Sequence, residues 1–567
     1  MDLPNIWGQG ALFCFSGLDG ECQYHQSFAC TLLADHLGVR IHTPELIDLY
    51  ISVNNIKDVH YKIVASDIII AELTTADNEK YNTSFVFYNQ NTIIGLCRKN
   101  SLHLNPVDSS FTCKTSGNYK VYSGTKSTVY LSETEAKEYT CFSVSTAKNN
   151  INIPKAVDET IETKLQFYKN LPELRIKDPK ISRTFYKCIS VMKSQVYSAE
   201  GQFKHFWTTP DKLPHKNLWL WDSVFHSLGN RFIDKNLARD SLLSVLDTQK
   251  PDGLIPHMST PYYSSNITQP PVLAWGFWEY YKNTSDISIL KKAYPKLESY
   301  LKWNLKNRRC ESGLFQWYIN TEDKNCRCDE SGMDNSPRFD HAVSMECIDF
   351  SCFMVTEAES MAKICKSINE ERCQYWERFA ADLKNSINKY LWDETDAFYF
   401  DRITSDKTFQ KTKSVASFLP LFAGVCDETK AQKLVESLNN IKTFKDSFNI
   451  PSISKEDPTF GTDMWRGPVW INYNYFISCG LKRYGYVKEA DSIIQKTLTE
   501  IAKYYHYDGT VYEFYDSACQ KSPSKLMRKG EVIEPYNIYT RMQTIRDYGW
   551  TAALFVHMLL ENPGLFE

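Results

Sequence analysis

The period of the apolar positions changes once along the chain. Before about residue 165 they fall in short β-branched or aromatic runs, such as Ile63–Leu73 (IVASDIIIAEL) and Ser84–Leu96 (SFVFYNQNTIIGL), separated by Gly-, Asn- and Ser-bearing breaks. That texture predicts strands joined by turns, and the short spacing favours a β-sandwich. Gly117-Asn118 and Gly124-Thr125 carry turn signals among the later strands. A charged, proline-containing stretch around Pro172–Pro179 reads as a connector. The expected organisation is a sandwich over 1–165, a linker over 166–180 and a helical domain over 181–567.

Beyond residue 180 the period becomes helical. Ile289, Leu290, Ala293, Leu297, Tyr300, Leu301 and Trp303 form one stripe within Asp286–Asn307, with Ser285 as the expected N-cap. Met354, Ala358, Met361 and Ile364 form another. A short pattern recurs at helix ends, as Asp252-Gly253-Leu254-Ile255, Ser312-Gly313-Leu314-Phe315, Asp396-Ala397-Phe398-Tyr399 and Asp508-Gly509-Thr510-Val511. A turn residue followed by an extended pair suits a loop between helices. Its recurrence predicts a closed or stacked array of helix pairs. A toroid of inner and outer helices would bring these loops to one mouth.

Composition narrows the partners. Of 567 residues, 43% are hydrophobic and 23% charged, with a net charge of -3. That balance leaves no electrostatic footprint for nucleic acid or an anionic membrane. No run approaches the roughly 18 apolar residues of a membrane span. The start, Met1-Asp2-Leu3-Pro4, lacks the basic and apolar regions of a secretory signal. The 17 scattered cysteines then read as reduced thiols, the sequons at Asn82, Asn266 and Asn283 as chance matches, and the compartment as the cytoplasm. The 13 Trp and 34 Tyr matter where they sit beside polar residues, because rings can stack on sugar C–H faces.

Two segments offer paired carboxylates. In Glu330-Ser331-Gly332-Met333-Asp334-Asn335-Ser336-Pro337-Arg338 the functional reading points Asp334 into a cleft while Gly332 lets the backbone approach a ligand. The competing reading is a capped turn before a helix. In Tyr512-Glu513-Phe514-Tyr515-Asp516 the aromatic flanks shield Glu513 from water, which suits a tuned base; otherwise it is a surface carboxylate in a turn. Together they supply the acid and the base of glycoside hydrolysis. Leu218-Trp219-Leu220-Trp221-Asp222 sets an Asp among Trp rings, and Trp465-Arg466-Gly467-Pro468-Val469-Trp470 is a Trp-rich turn feeding a helix. Either alone also fits core packing. Cys326-x-Cys328 lacks a second ligand pair, so no zinc is expected, and no phosphate-cradling glycine motif occurs, so no cofactor is expected.

These four motifs in this order resemble glycoside hydrolase family 63, over roughly residues 180–567. The resemblance implies an (α/α)6 toroid preceded by a β-sandwich and an inverting mechanism. It places the general acid on Asp334 and the general base on Glu513. It lends sugar-binding roles to Trp219 and Asp222, sets Trp465 and Trp470 on the pocket wall, and gives Arg338 a hydroxyl to bind or Asp334 to support. His257, Gln269, Gly332 and Tyr512 complete the expected pocket. The turn after Asp516 lacks the family's usual Pro and Gly, and a charged insert spans Ser522–Tyr536; both bear on the substrate.

The resulting expectation is a small α-linked glycoside, a glucoside first and mannosyl- or glucosylglycerate second. In the second case Lys525 or Arg528 would meet the glycerate carboxylate. Asp334 is expected to be kept protonated by its setting. Phosphorolysis on a similar toroid, a non-catalytic carbohydrate-binding protein and a purely structural toroid are the alternatives, and the oligomeric state is open.

Overall fold

The computed structural model describes residues 8, 10–107, 111–532 and 537–566. The N-terminal Met1–Pro4 and the last part of the 522–536 insert, residues 533–536, lie outside the described residues.

Two antiparallel sheets form the N-terminal region. The smaller has five strands, in the spatial order Leu12–Cys14, Ala29–Leu32, Leu37–His42, Leu46–Ile51 and Leu102–Pro106. The larger has eight, running in space from Thr112–Ser116 through Tyr119–Ser123, Thr128–Glu135, Tyr139–Ser145, Thr92–Arg98, Lys80–Asn89 and Ile68–Thr75 to Ile56–Val64. Both apolar runs singled out above are hairpins. Ile63 pairs with Ile70 across the Ala65–Asp67 turn, and Val86 with Ile94 across the Gln90–Asn91 turn. Gly117, at φ +60°, turns the chain between Thr112–Ser116 and Tyr119–Ser123 as its sequence predicts.

The strands end at Ser145, earlier than the expected boundary, and helix α1 (Ile153–Lys169) packs across the larger sheet. Its N-cap Asn152 and Pro154 in the first turn start a helix where the strand pattern has already stopped. The connector narrows to 170–178 before α2 (Pro179–Ser194). Sandwich and helices are joined by buried charges. Asp67 accepts from Lys193 at 2.6 Å and pairs with Lys164 at 3.3 Å, and Lys193 also reaches Asp19 at 3.0 Å. Two buried lysines against two carboxylates satisfy a cluster that would be costly with any member missing.

The helical region continues with α3 (Leu220–Asn230), α4 (Lys235–Asp247), α5 (Leu273–Thr284), α6 (Ile287–Asn307), α7 (Ile348–Ile368), α8 (Cys373–Tyr390), α9 (Leu419–Ala423), α10 (Glu428–Leu438), α11 (Ile471–Arg483), α12 (Val487–Asp508) and α13 (Gly549–Glu561). α3 packs on α5, α5 on α7, α7 on α9, α9 on α11, α11 on α13, and α13 back on α3. Sequence explains the ring: α13 is apolar on every face and buried to Leu559, whereas α8 and α12 carry one apolar stripe and an exposed charged side. The recurring pattern is a left-handed turn after a helix, with Gly253, Gly313, Ala397 and Gly509 all at positive φ. Ser285 is not the N-cap of α6. It closes α5 at φ +57°, and Asp286 caps α6 through a bond from the Ser288 amide at 3.0 Å.

Candidate active site

A cavity of about 300 Å³ is walled by the loops before α3 and α5, the 329–334 turn, the segments around Trp470 and Glu513, and the strap residues Arg528, Lys529, Arg541 and Met542. Asp334 and Glu513, 179 positions apart in the chain, both line it, as do Trp219, Asp222, His257, Gln269, Gly332 and Trp470.

The Trp219 side is set by a two-residue ladder. Leu218 and Trp219 pair with Ser259 and Met258, which turns the chain into α3 and brings His257 edge-on to the Trp219 ring at 5.2 Å. Gln269 Oε1 accepts from the Trp221 amide at 3.1 Å, satisfying a free donor at the start of α3. Asp222 lies in that first turn, 3% exposed, with the Tyr548 hydroxyl at 3.5 Å. Burial first, and the Glu513 charge second, push its carboxyl well above the usual range. Burial lowers His257 to about 4, so its ring is neutral at physiological pH, with Nδ1 2.6 Å from Ser265 Oγ.

Asp334 follows a tightly held turn. Glu330 is wholly buried, taking Arg308 at 2.6 and 2.9 Å and the amides of Tyr318 and Thr268 at 2.8 and 3.2 Å. Gly332 sits at φ +68°, and a Cβ there would meet Trp221 Cζ2 at 2.3 Å. The glycine is therefore required by packing on Trp221, not only by an approaching ligand. Lys529 Nζ lies 3.0 Å from Asp334 Oδ2. Burial raises the Asp334 carboxyl, but Lys529 and Arg528 outweigh it and hold it below its ordinary value. Against the expectation of a protonated Asp334, two cations from the insert favour its ionised form.

Glu513 is 3% exposed between buried Tyr512 and Phe514. It takes the Arg528 guanidinium at 3.2 and 3.4 Å, and its amide donates to Ile545 O at 3.0 Å. Consecutive strap residues therefore each hold one of the two carboxylates, Arg528 on Glu513 and Lys529 on Asp334.

Three expected pocket residues lie off the wall. Arg338, 1% exposed, binds Asp349 at 2.7 and 3.0 Å and Asp401 at 2.7 and 2.9 Å, with Met333 Sδ at 3.3 Å. It braces the residue before Asp334 and has no free donor for a sugar. Trp465 is fully buried behind Trp470, the two rings stacked at 3.9 Å, and its amide donates to Asn335 Oδ1 at 3.0 Å. Tyr512 is fully buried, its hydroxyl donating to Asp508 at 3.0 Å. Each has its polar groups or ring engaged by the protein, which a motif cannot reveal. Conversely Asp329, Lys529, Arg541, Tyr548 and Trp550 line the cavity and were not singled out. Arg528 lines it too, whereas Lys525 does not. Among the described residues, two donor groups have metal-like spacing, Cys326 with Asp329 and Asp334, and Cys347 with Asp349 and Asp401. Lys529 faces the first and Arg338 fills the second.

Residues 215–551, more than half of the chain, match the family model described as mannosylglycerate hydrolase MGH1-like glycoside hydrolase domain. A mannosylglycerate hydrolase of Selaginella moellendorffii is 25% identical over 399 residues, covering 54% of this chain and 77% of the relative. The mannosyl-oligosaccharide glucosidase of Arabidopsis thaliana is 23% identical over 417 residues, 58% of this chain and 49% of the relative. The family 63 mannosylglycerate hydrolase of Thermus thermophilus, solved with glucose, superposes with a TM-score of 0.53 at 23% identity over 65% of this chain and 98% of that one. A bacterial glucoamylase solved with acarbose shares the fold over 100% of this chain and 95% of its own, at a TM-score of 0.59 and 10% identity. With paired carboxylates in one cavity and a family model spanning it, the chain belongs to the MGH1-like glycoside hydrolases and is a glycoside hydrolase of family 63.

Proposed function

We propose that the chain hydrolyses a small α-linked glycoside with inversion, inside an (α/α)6 toroid whose inner ring is α3, α5, α7, α9, α11 and α13. One observation carries the reading: Asp334 and Glu513, remote in sequence, line a single small cavity together with Asp222. Asp334 protonates the glycosidic oxygen, and Glu513 takes a proton from a water that attacks the opposite face. Such a reaction wants the two carboxyl groups roughly 6.5–9.5 Å apart, so that the water fits between them. Trp219, His257, Gln269 and Trp470 orient the sugar, and Asp222 binds adjacent hydroxyls.

Of a neutral glucoside and a mannosyl- or glucosylglycerate, the cavity favours the second. Arg528, Lys529 and Arg541 face it, and a glycerate carboxylate would draw Lys529 off Asp334 and free that residue to take up a proton. Relatives named mannosylglycerate hydrolases support the same choice, and the related glucosidase keeps the first open. Seventeen free thiols support a cytoplasmic setting.

The test compares kcat/KM on mannosylglycerate, glucosylglycerate, the neutral glucosylglycerol and α-linked glucose disaccharides. A preference of at least tenfold for the acidic aglycones is expected. Equal rates on glucosylglycerol would return the reading to a neutral α-glucoside. Asp334→Asn should bind the preferred glycoside and lose most turnover, and full activity there would reject Asp334 as the acid.

A further inference from the structure

Asp334 faces a second carboxylate to which the proposed reaction gives no task. Asp329 opens the short turn before Asp334 and lines the same cavity. A carboxylate oxygen of each, together with Cys326 Sγ, lies within 4.8 Å of the other two. The Cys326 thiol donates to Asp329 Oδ1, and Lys529 Nζ lies 3.0 Å from Asp334 Oδ2. Two half-buried carboxyl groups this close do not both ionise freely, and a shared proton settles on the member without the direct cation contact. We infer that Asp329 is a positioning residue of the acid step, holding the proton that Asp334 delivers to the glycosidic oxygen.

The charges around the pair agree. Burial and then the Asp334 charge raise the Asp329 carboxyl, outweighing the Cys326 hydrogen bond and then Lys529, which lower it, with Asp323 adding to the rise. Asp334 is held low by Lys529 and Arg528, with Cys326 beside it and a neutral His257 across the cavity. When an anionic aglycone draws Lys529 away, the proton passes from the Asp329 carboxyl to the Asp334 carboxylate. Asp334 then gives it to the leaving oxygen, which keeps the electron pair of the broken C–O bond. Water bonds to the anomeric carbon and yields its proton to Glu513. The negative charge left on Asp329 disfavours premature ionisation of Asp334, as paired carboxyls do elsewhere.

This rests on Asp334 being the acid, and the test separates the two. Asp329→Asn is assayed on glucosylglycerate, whose alkoxide must be protonated, and on α-glucosyl fluoride, whose fluoride leaves with little help. The mannosyl pair replaces them if mannose is the preferred sugar. The glycerate rate should fall at least tenfold while the fluoride rate stays within twofold, which also reports a folded enzyme. The basic limb of kcat/KM should move to lower pH, because the like charge supporting the Asp334 proton is gone. Lys529→Met, a partly exposed strap side chain, should move the same limb to higher pH. Equal losses on both substrates, or limbs unmoved in both variants, would overturn the role of Asp329. Alkyl-glycoside turnover surviving in Asp334→Asn would instead reject the acid itself.

Discussion

Replacing Arg338 with Met separates a brace from a sugar ligand. The guanidinium is 1% exposed and makes four bonds of 2.7–3.0 Å to Asp349 and Asp401. Without it two buried carboxylates lose their cation. They keep other donors: Trp317 Nε1 and the Phe350 amide on Asp349, each at 2.9 Å, and the Ile348 amide on Asp401, also at 2.9 Å. Those donors soften the loss without removing it, and breaking a buried pair costs about 3–5 kcal/mol. Against the ~5–15 kcal/mol that holds a typical domain folded, this is a large fraction. Urea unfolding of Arg338→Met should therefore show a clearly lowered midpoint, while the folded fraction keeps KM within about twofold. Adding Asp401→Asn should restore part of the loss, since it removes one of the stranded charges. Wild-type stability with KM raised tenfold would refute the reasoning and return Arg338 to the pocket.

Gly332→Ala combines a left-handed backbone cost of ~1–2 kcal/mol with crowding of Trp221, worth ~1–3 kcal/mol, and should lower both melting temperature and kcat. Gly117→Ala, at φ +60° with nothing within 4 Å, is the control, and should pay only the backbone cost and leave kcat alone. Acid should destabilise the fold through its buried histidines. His226 is lowered by burial to about 3 and His257 to about 4, so the unfolded chain binds more protons below its ordinary value near 6.5. Stability is then present above pH 6.5 and lost as pH falls through the folded values, at up to ~1.4 kcal/mol per unit for each histidine. His226→Gln should flatten the pH dependence of the urea midpoint by about one proton's slope, and an unchanged slope would contradict the assignment.

The sequence was most legible where the period is local. Alternating runs marked the sandwich, but Ile63–Leu73 and Ser84–Leu96 each fold over a tight turn, because Ser66-Asp67 and Gln90-Asn91 break the pairing direction inside an apolar stretch. The stripe of Asp286–Asn307 marked α6, and only its cap was misplaced, since Ser285 is spent closing α5. The site was legible as motifs and illegible as geometry. Nothing local in ESGMDNSPRFD tells that Arg338 turns inward to two carboxylates supplied by residues 349 and 401. Nothing in a charged insert tells that Arg528 and Lys529 reach back to Glu513 and Asp334. Those contacts are tertiary, joining Arg338 to side chains 11 and 63 positions away and Lys529 to one 195 positions away, and no local pattern encodes them.

The central claim is that these two carboxylates act on opposite faces of one anomeric carbon. Proton NMR of the sugar released in the first minutes from the preferred α-glycoside tests it directly. The β-anomer should appear first, with the α-anomer growing only at the rate of mutarotation. An α-anomer formed first would contradict the account.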